Sequence, residues 1–377
     1  AHLIRSLELD GVLDRALEHL PSADEIEDRR RAGQGLTRPE MAMLLSYSKI
    51  ALNNQLIASD VPEDPYLSGE LDRYFPDRLS KRYAELLGEH RLRREIIVTA
   101  TTNSIVNRMG PTFVSRTQQD TGADAATVAR AYSIARESFD ARDLWAAIEK
   151  LDNRVATGTQ YAMTLESVTL IRHATYWLIQ RHRGALGIDA QVGRLRPGIR
   201  ELAAGLPQWL QGLDRGTFDG EVARLTGAGV PAALAREVAA CASLASAPDI
   251  VELAHAHKIG VPVAARTYFA VGSQFGLDWL RERVEQLDIQ GHWQAVARGS
   301  LREALFDAHR ALTERVLAGT RERDPTRSVP AWTEAHAAAA AHARGVVDDI
   351  RSQASAPDFA SLSVALQALR RLAVAER

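Results

Sequence analysis

A single cysteine, Cys241, stands in a chain of 377 residues. An internal disulfide framework is therefore impossible, and so is a cysteine-rich zinc site. This fits a reducing compartment, and a cytoplasmic location is the expectation. Lysine is almost as scarce: Lys49, Lys81, Lys150 and Lys258 are four of the 46 basic residues, and the other 42 are arginine. Genomic base composition accounts for such a bias, and arginine also forms good surface ion pairs. The basic residues face 48 acids, for a net charge of −2. That balance removes any global attraction to nucleic acid or an anionic membrane, so neither is an expected partner. No apolar run approaches the roughly 18 residues that mark a membrane span. The first residues, AHLIRSLELDG, have no signal-peptide layout. They lack Met and are already in helical rhythm, as expected of a piece of a longer polypeptide.

What is present is helical. Apolar residues make up 46% and charged residues 25%, an ordinary globular balance, and the length allows two or three compact units. The dominant period is 3.6 residues, with no convincing strand alternation. The expected fold is all-α, an irregular multi-helix array with no Rossmann domain. Thr37-Arg38-Pro39-Glu40 predicts a helix start: threonine caps free N–H groups, glutamate reaches back to the cap, and proline sits where its missing N–H costs nothing. Met41, Leu44, Leu45, Leu52 and Leu56 follow on one face, with a stop near Asp60, before Val61-Pro62. Asp64-Pro65 predicts a short helix toward Phe75, and another is expected from Asp77 to Leu87. The window from His90 to Phe139 reads as three helices, punctuated by Gly110-Pro111 and Thr121-Gly122, with Asp124 as a cap. Residues 156–183 predict a long helix carrying Leu165, Val168, Ile171, Trp177 and Leu178.

Gly184, Gly187, Gly193, Pro197 and Gly198 crowd the next stretch and predict a break. They divide the chain into two helical subdomains, 1–185 and 186–377. Beyond it Pro231, Pro248 and Pro262 each precede helical rhythm, and Gly272 and Gly276 suggest a tight turn. Residues 292–318 and 330–355 are expected as long helices, joined by a charged connector from Thr320 to Val329. The alanine run from Ala337 to Ala341 has high helix propensity.

Chemistry-bearing patterns are sparse. A dinucleotide site needs a strand, a glycine-rich turn and a helix. The nearest string, Gly33-Gln34-Gly35-Leu36-Thr37-Arg38, lacks the third glycine and the preceding strand. His255 and His257 are two apart, and His336 and His342 six apart; neither spacing puts both rings on one helix face as metal ligands. Asp348-Asp349 resembles a magnesium motif, but Ser352 occupies the completing position. Cys241 lies in an apolar Ala-Ala-Cys-Ala-Ser stretch and reads as a buried small residue rather than a nucleophile. Arg91, Arg93 and Arg94 form one basic patch and Arg172, Arg181 and Arg183 another. Both read as solvated or salt-bridging faces, with an acidic neighbouring domain as the functional alternative. Six tryptophans, Trp145, Trp177, Trp209, Trp279, Trp293 and Trp332, read mostly as core or interface anchors.

Several segments carry a likeness to one family. Leu36-Thr37-Arg38-Pro39-Glu40 with Tyr47, Tyr74-Phe75-Pro76, Arg94-Glu95-Ile96-Ile97, Val106-Asn107-Arg108, Thr112-Phe113-Val114 and Arg130-Ala131-Tyr132 form its first half. Leu151 to Val155, Tyr268-Phe269, Leu277 to Leu280 and Trp293 through Arg298 continue it. Ala156 departs from the pattern, which has proline there. The chain resembles the region C-terminal to the catalytic domain in the large bacterial NAD-specific glutamate dehydrogenases. The resemblance implies a parent that oxidatively deaminates L-glutamate to 2-oxoglutarate and ammonia with NAD. It also implies the upstream catalytic domain of the same polypeptide as partner, and assembly as a homo-oligomer. No catalytic, cofactor-binding or metal-binding residue of the family has a matching position here, so no cofactor is expected in this segment. Asn103, Asn107 and Arg108 are expected to order the turn at Gly110 by polar contacts. An independent helical adaptor and an all-helical enzyme are the competing readings. The first would need a large open apolar groove, the second a pocket of converging acids or a metal.

Overall fold

The structure, a computed structural model, describes residues 1–377 except 182, 183, 185, 321, 376 and 377. Among the described residues there are 21 α-helices, one 3-10 turn and no strand. The all-α expectation is met, and among the described residues no helix is long and apolar enough to cross a membrane. Arg183 and the expected boundary at Ala185 lie outside the described residues.

Two compact units divide the chain, each assembled from two segments. The first comprises Ala1–Asp140 and Ile171–Gly193. Its signature helix, Arg38–Ile57, starts as the sequence dictates. Glu40 N donates to Thr37 Oγ1 at 3.4 Å, Thr37 N donates to Glu40 Oε2 at 2.6 Å, and Pro39 sits in the first turn. Such a cap contributes about 1 kcal/mol. The helix buries Leu44, Leu52 and Leu56, whereas Met41 faces solvent. It packs on helix Arg93–Met109, which contributes Ile97, Val98 and Ile105. A smaller cluster gathers Ile4, Leu7, Leu13, Leu20, Leu44 and Ala51. Helices Arg93–Met109, Phe113–Thr121 and Ala125–Ser138 are the three expected from the His90 window. Gly110 (φ 86°) and Gly122 (φ 73°) take the positive φ that ends the first two, and Asp124 caps the third through Thr127 N at 2.7 Å. The expected single helix to Leu87 is instead two short ones, Asp77–Arg82 and Ala84–Leu87, broken at Tyr83 (φ −122°, ψ 28°).

The second unit comprises Ala141–Leu170 and Arg194–Arg377. Its main core joins Val271, Phe275, Leu280, Leu312, Val316, Trp332, Val347 and Leu369, drawn from the last six helices. Helices Ala232–Leu244, Ala247–His257 and Val261–Gln274 start at Pro231, Pro248 and Pro262. Gly276, at φ 67°, turns the chain into Leu277–Glu285, and a Cβ there would meet Val347 Cγ1 at 3.0 Å.

The expected long helix from residue 156 is present as Thr157–Arg181, with Leu165 on its solvent side, one turn from the exposed Tyr161. Two further sequence expectations fail locally. Helix Ile188–Trp209 runs through Gly193, Pro197 and Gly198 without a break. The expected connector and helix at 320–355 are a helix Pro325–Ala335, capped by Asp324, then a helix Ala337–Ser352 after a kink at His336. Of the alanine run, Ala340 is buried in the core and the half-buried Ala339 packs against it.

Candidate functional site

Two buried polar networks dominate the interior, one in each unit. In the first, Arg136 projects from helix Ala125–Ser138, where its i, i+4 partner Tyr132 is also fully buried. Its Nη2 donates to Glu70 Oε1 at 2.9 Å, Nε to Glu137 Oε1 at 2.8 Å and Nη1 to Ser104 Oγ at 3.0 Å. Ser104 Oγ lies 2.9 Å from the Tyr132 hydroxyl, and the guanidinium carbon sits 5.6 Å from the Tyr132 ring centre. The network thereby ties helices Gly69–Tyr74 and Arg93–Met109 to Ala125–Ser138. Burial works against the Arg136 charge, but the fields of Glu70, Tyr132 and Glu137 prevail and hold its pKa above the ordinary value. With all three guanidinium nitrogens engaged, the geometry supports clamping helices rather than turning over a substrate.

In the second unit, His309 stacks on Tyr268 with ring centres 3.5 Å apart, and its Nε2 lies 2.8 Å from the Tyr268 carbonyl oxygen. A carbonyl only accepts, so Nε2 carries the proton. Burial pushes the imidazole pKa down to about 3, keeping it neutral. Gly272 permits this approach: a Cβ there would lie 2.9 Å from His309 Cε1. Around the pair, Arg281 binds Asp214, Arg310 Nε lies 3.5 Å from Asp249 Oδ1, and the Leu213 and Trp279 amides donate to Asp278. Burial raises the Asp278 pKa.

The residues singled out in the sequence do not converge. Cys241 is buried, its thiol pushed up to about 12 by burial, and thus no nucleophile at neutral pH. His255 is exposed and His257 half-buried; His336 is buried against Trp332, while His342, Asp348 and Asp349 face solvent. Among the described residues, no group of three His, Cys, Asp or Glu side chains can hold a metal ion. Gly33 makes a positive-φ turn at 68° between helices Ala23–Arg31 and Arg38–Ile57. A turn preceded by a helix rather than a strand does not fit the dinucleotide arrangement. Arg93 and Arg94 both pair with Glu63, so most of that patch is an intramolecular salt-bridging face. Arg172 and Arg181 are exposed. The Gly110 turn is closed by its own N–H on Val106 O at 3.0 Å. Among the described residues, no side-chain hydrogen bond from Asn103 or Asn107 supports it. Trp145 and Trp332 are core residues, Trp177, Trp209 and Trp279 are half-buried, and Trp293 is 79% exposed.

The surface is less balanced than the interior. Among the described residues, fifteen large apolar side chains are exposed, and nine of them, from Leu9 to Leu92, fall within the first 92 residues.

Comparison with known proteins places the chain. The family described as "Glutamate dehydrogenase, C-terminal" matches residues 33–371. The chain is similar to the NAD-specific glutamate dehydrogenases of Halomonas elongata (37% identical over 371 residues) and Pseudomonas aeruginosa (37% over 375). It is also similar to that of Mycobacterium tuberculosis, at 32% over 370 residues. Each match covers 98% of this chain but 23% of the relative's length.

Proposed function

The chain belongs to the glutamate dehydrogenase C-terminal family, and from that premise we propose that it is a non-catalytic helical domain of a large NAD-specific glutamate dehydrogenase. It packs against the catalytic part of the same polypeptide and supports subunit assembly. In this reading the whole protein is cytoplasmic and oxidises L-glutamate to 2-oxoglutarate and ammonia, reducing NAD. The observation that carries the reading is the alignment itself, 98% of the chain against 23% of each relative. The remaining length of the relatives is ample for a catalytic unit. The buried polar groups agree with a supporting role, since Arg136 and His309 are spent on holding helices together.

The test is direct. The purified chain, given glutamate and NAD, should show no turnover, and a calorimetric NAD titration should show no saturable binding in the micromolar range. Turnover, or such binding, contradicts the assignment.

A further inference from the structure

The segment 73–94 combines exposed apolar side chains with unusual charge. It holds seven basic residues (73, 78, 81, 82, 91, 93 and 94) against three acids (77, 85 and 89), a formal +4 in a chain of −2. Leu79, Tyr83 and Leu86 are 45%, 41% and 61% exposed. They follow one another at i, i+4 and i+7, and backbone hydrogen bonds span the Tyr83 break. Tyr83 N donates to Leu79 O, and Leu86 N to Tyr83 O, both at 2.9 Å. The opposite face is anchored: Ser80 Oγ donates to Asp72 O at 2.6 Å, and Leu87 is buried. The stripe is thus held outward by its own footing. Arg78 and Arg82 flank it, with the Arg82 guanidinium 5.4 Å from the Tyr83 ring centre. Among the described residues, neither they nor Arg91 has an acidic partner, and one Glu63 serves both Arg93 and Arg94.

We propose that the Leu79–Tyr83–Leu86 stripe, with Arg78, Arg82 and Arg91, docks on an acidic, partly apolar surface elsewhere in the longer polypeptide. The proposal rests on the reading of this chain as a domain of a larger glutamate dehydrogenase. Two features of the molecule fix the occupant. Uncompensated arginines beside apolar side chains call for carboxylates around an apolar centre. Relatives in which this region is 23% of the length supply the protein surface within the same chain. A lipid surface is disfavoured, because three apolar side chains on and between helices of six and four residues are a small face to bury in a bilayer.

Hydrogen exchange of the longer polypeptide, compared with the chain alone, tests this. Amides of residues 77–92 should exchange slower by about tenfold or more in the longer polypeptide. L79S/Y83S/L86S and, separately, R78E/R82E/R91E should each abolish that protection. Neither should shift the melting of the chain alone, since all six side chains are exposed. Unchanged exchange at 77–92 overturns the inference. If Tyr161 and Leu165 become protected instead, the packing role stands and only this face is wrong; if no surface is protected, both fail. Protection that survives the charge reversal rejects an acidic partner. Sedimentation of the chain with phosphatidylserine vesicles, lost in R78E/R82E/R91E, overturns it in favour of a membrane surface.

Discussion

Arg136 occupies the buried face of an alanine-rich helix, where a charge is costly unless every donor is met. Glu70 and Glu137 supply the countercharge at 2.9 and 2.8 Å. Removing one member of such a group costs more than removing all of it. Arg136→Met should therefore lower unfolding free energy in urea by about 3–5 kcal/mol, because two carboxylates lose their buried cation. The combined change R136M/E70L/E137L should cost markedly less. A triple variant no more stable than the single one would show that the network is more than local charge compensation. The sequence contained a faint sign of this site: Arg136 falls one helical turn after Tyr132, on the apolar phase. In a chain with 42 arginines, one more on a helix carries almost no information. Its partner Glu70 is 66 positions away, a separation that only folding closes. Tyr268 and His309, 41 positions apart, were hidden for the same reason.

At the scale of elements, side-chain capping is readable, and glycine is readable where it takes positive φ, as at Gly110 and Gly122, but not where it serves helix packing. The Thr37 box forms as its residue types require, and the same chemistry recurs at Ser22 with Glu25 and at Asp358 with Ser361. Asp-Pro behaves in two ways. At Asp324-Pro325 it opens a helix inside what reads as a charged connector, whereas at Asp64-Pro65 it makes a turn and the helix waits until Gly69. Charge and turn propensity are local, but tertiary packing decides whether a helix continues. Gly198 shows this most clearly. Its hydrogen faces Val251, and a Cβ would lie 2.8 Å from Val251 Cγ2. The glycine serves close approach between Ile188–Trp209 and Ala247–His257 rather than a break. Gly198→Ala should accordingly destabilise the chain by about 1–3 kcal/mol from overpacking, despite alanine's better helix propensity. V251A in the same chain should recover most of the loss. A higher melting temperature for Gly198→Ala alone would refute the close-approach account.

At the scale of the whole molecule, the fold class was legible because period 3.6 and proline or glycine punctuation run the length of the chain. The role was not legible from chemistry, because residues such as His255, Cys241 and Asp348 stay apart or inert in the fold. It came from likeness to a family, and the structure adds a surface biased toward exposed apolar residues in its first 92 positions. The central claim is that this surface serves packing. The most direct measurement compares the longer glutamate dehydrogenase polypeptide with a version lacking this domain, by light-scattering mass, thermal stability and turnover per folded subunit. The shortened enzyme should aggregate or dissociate and melt earlier, with activity falling in step with the loss of assembled protein. A shortened enzyme that keeps its mass and stability yet loses turnover would contradict that claim, and would place this domain in the chemistry itself.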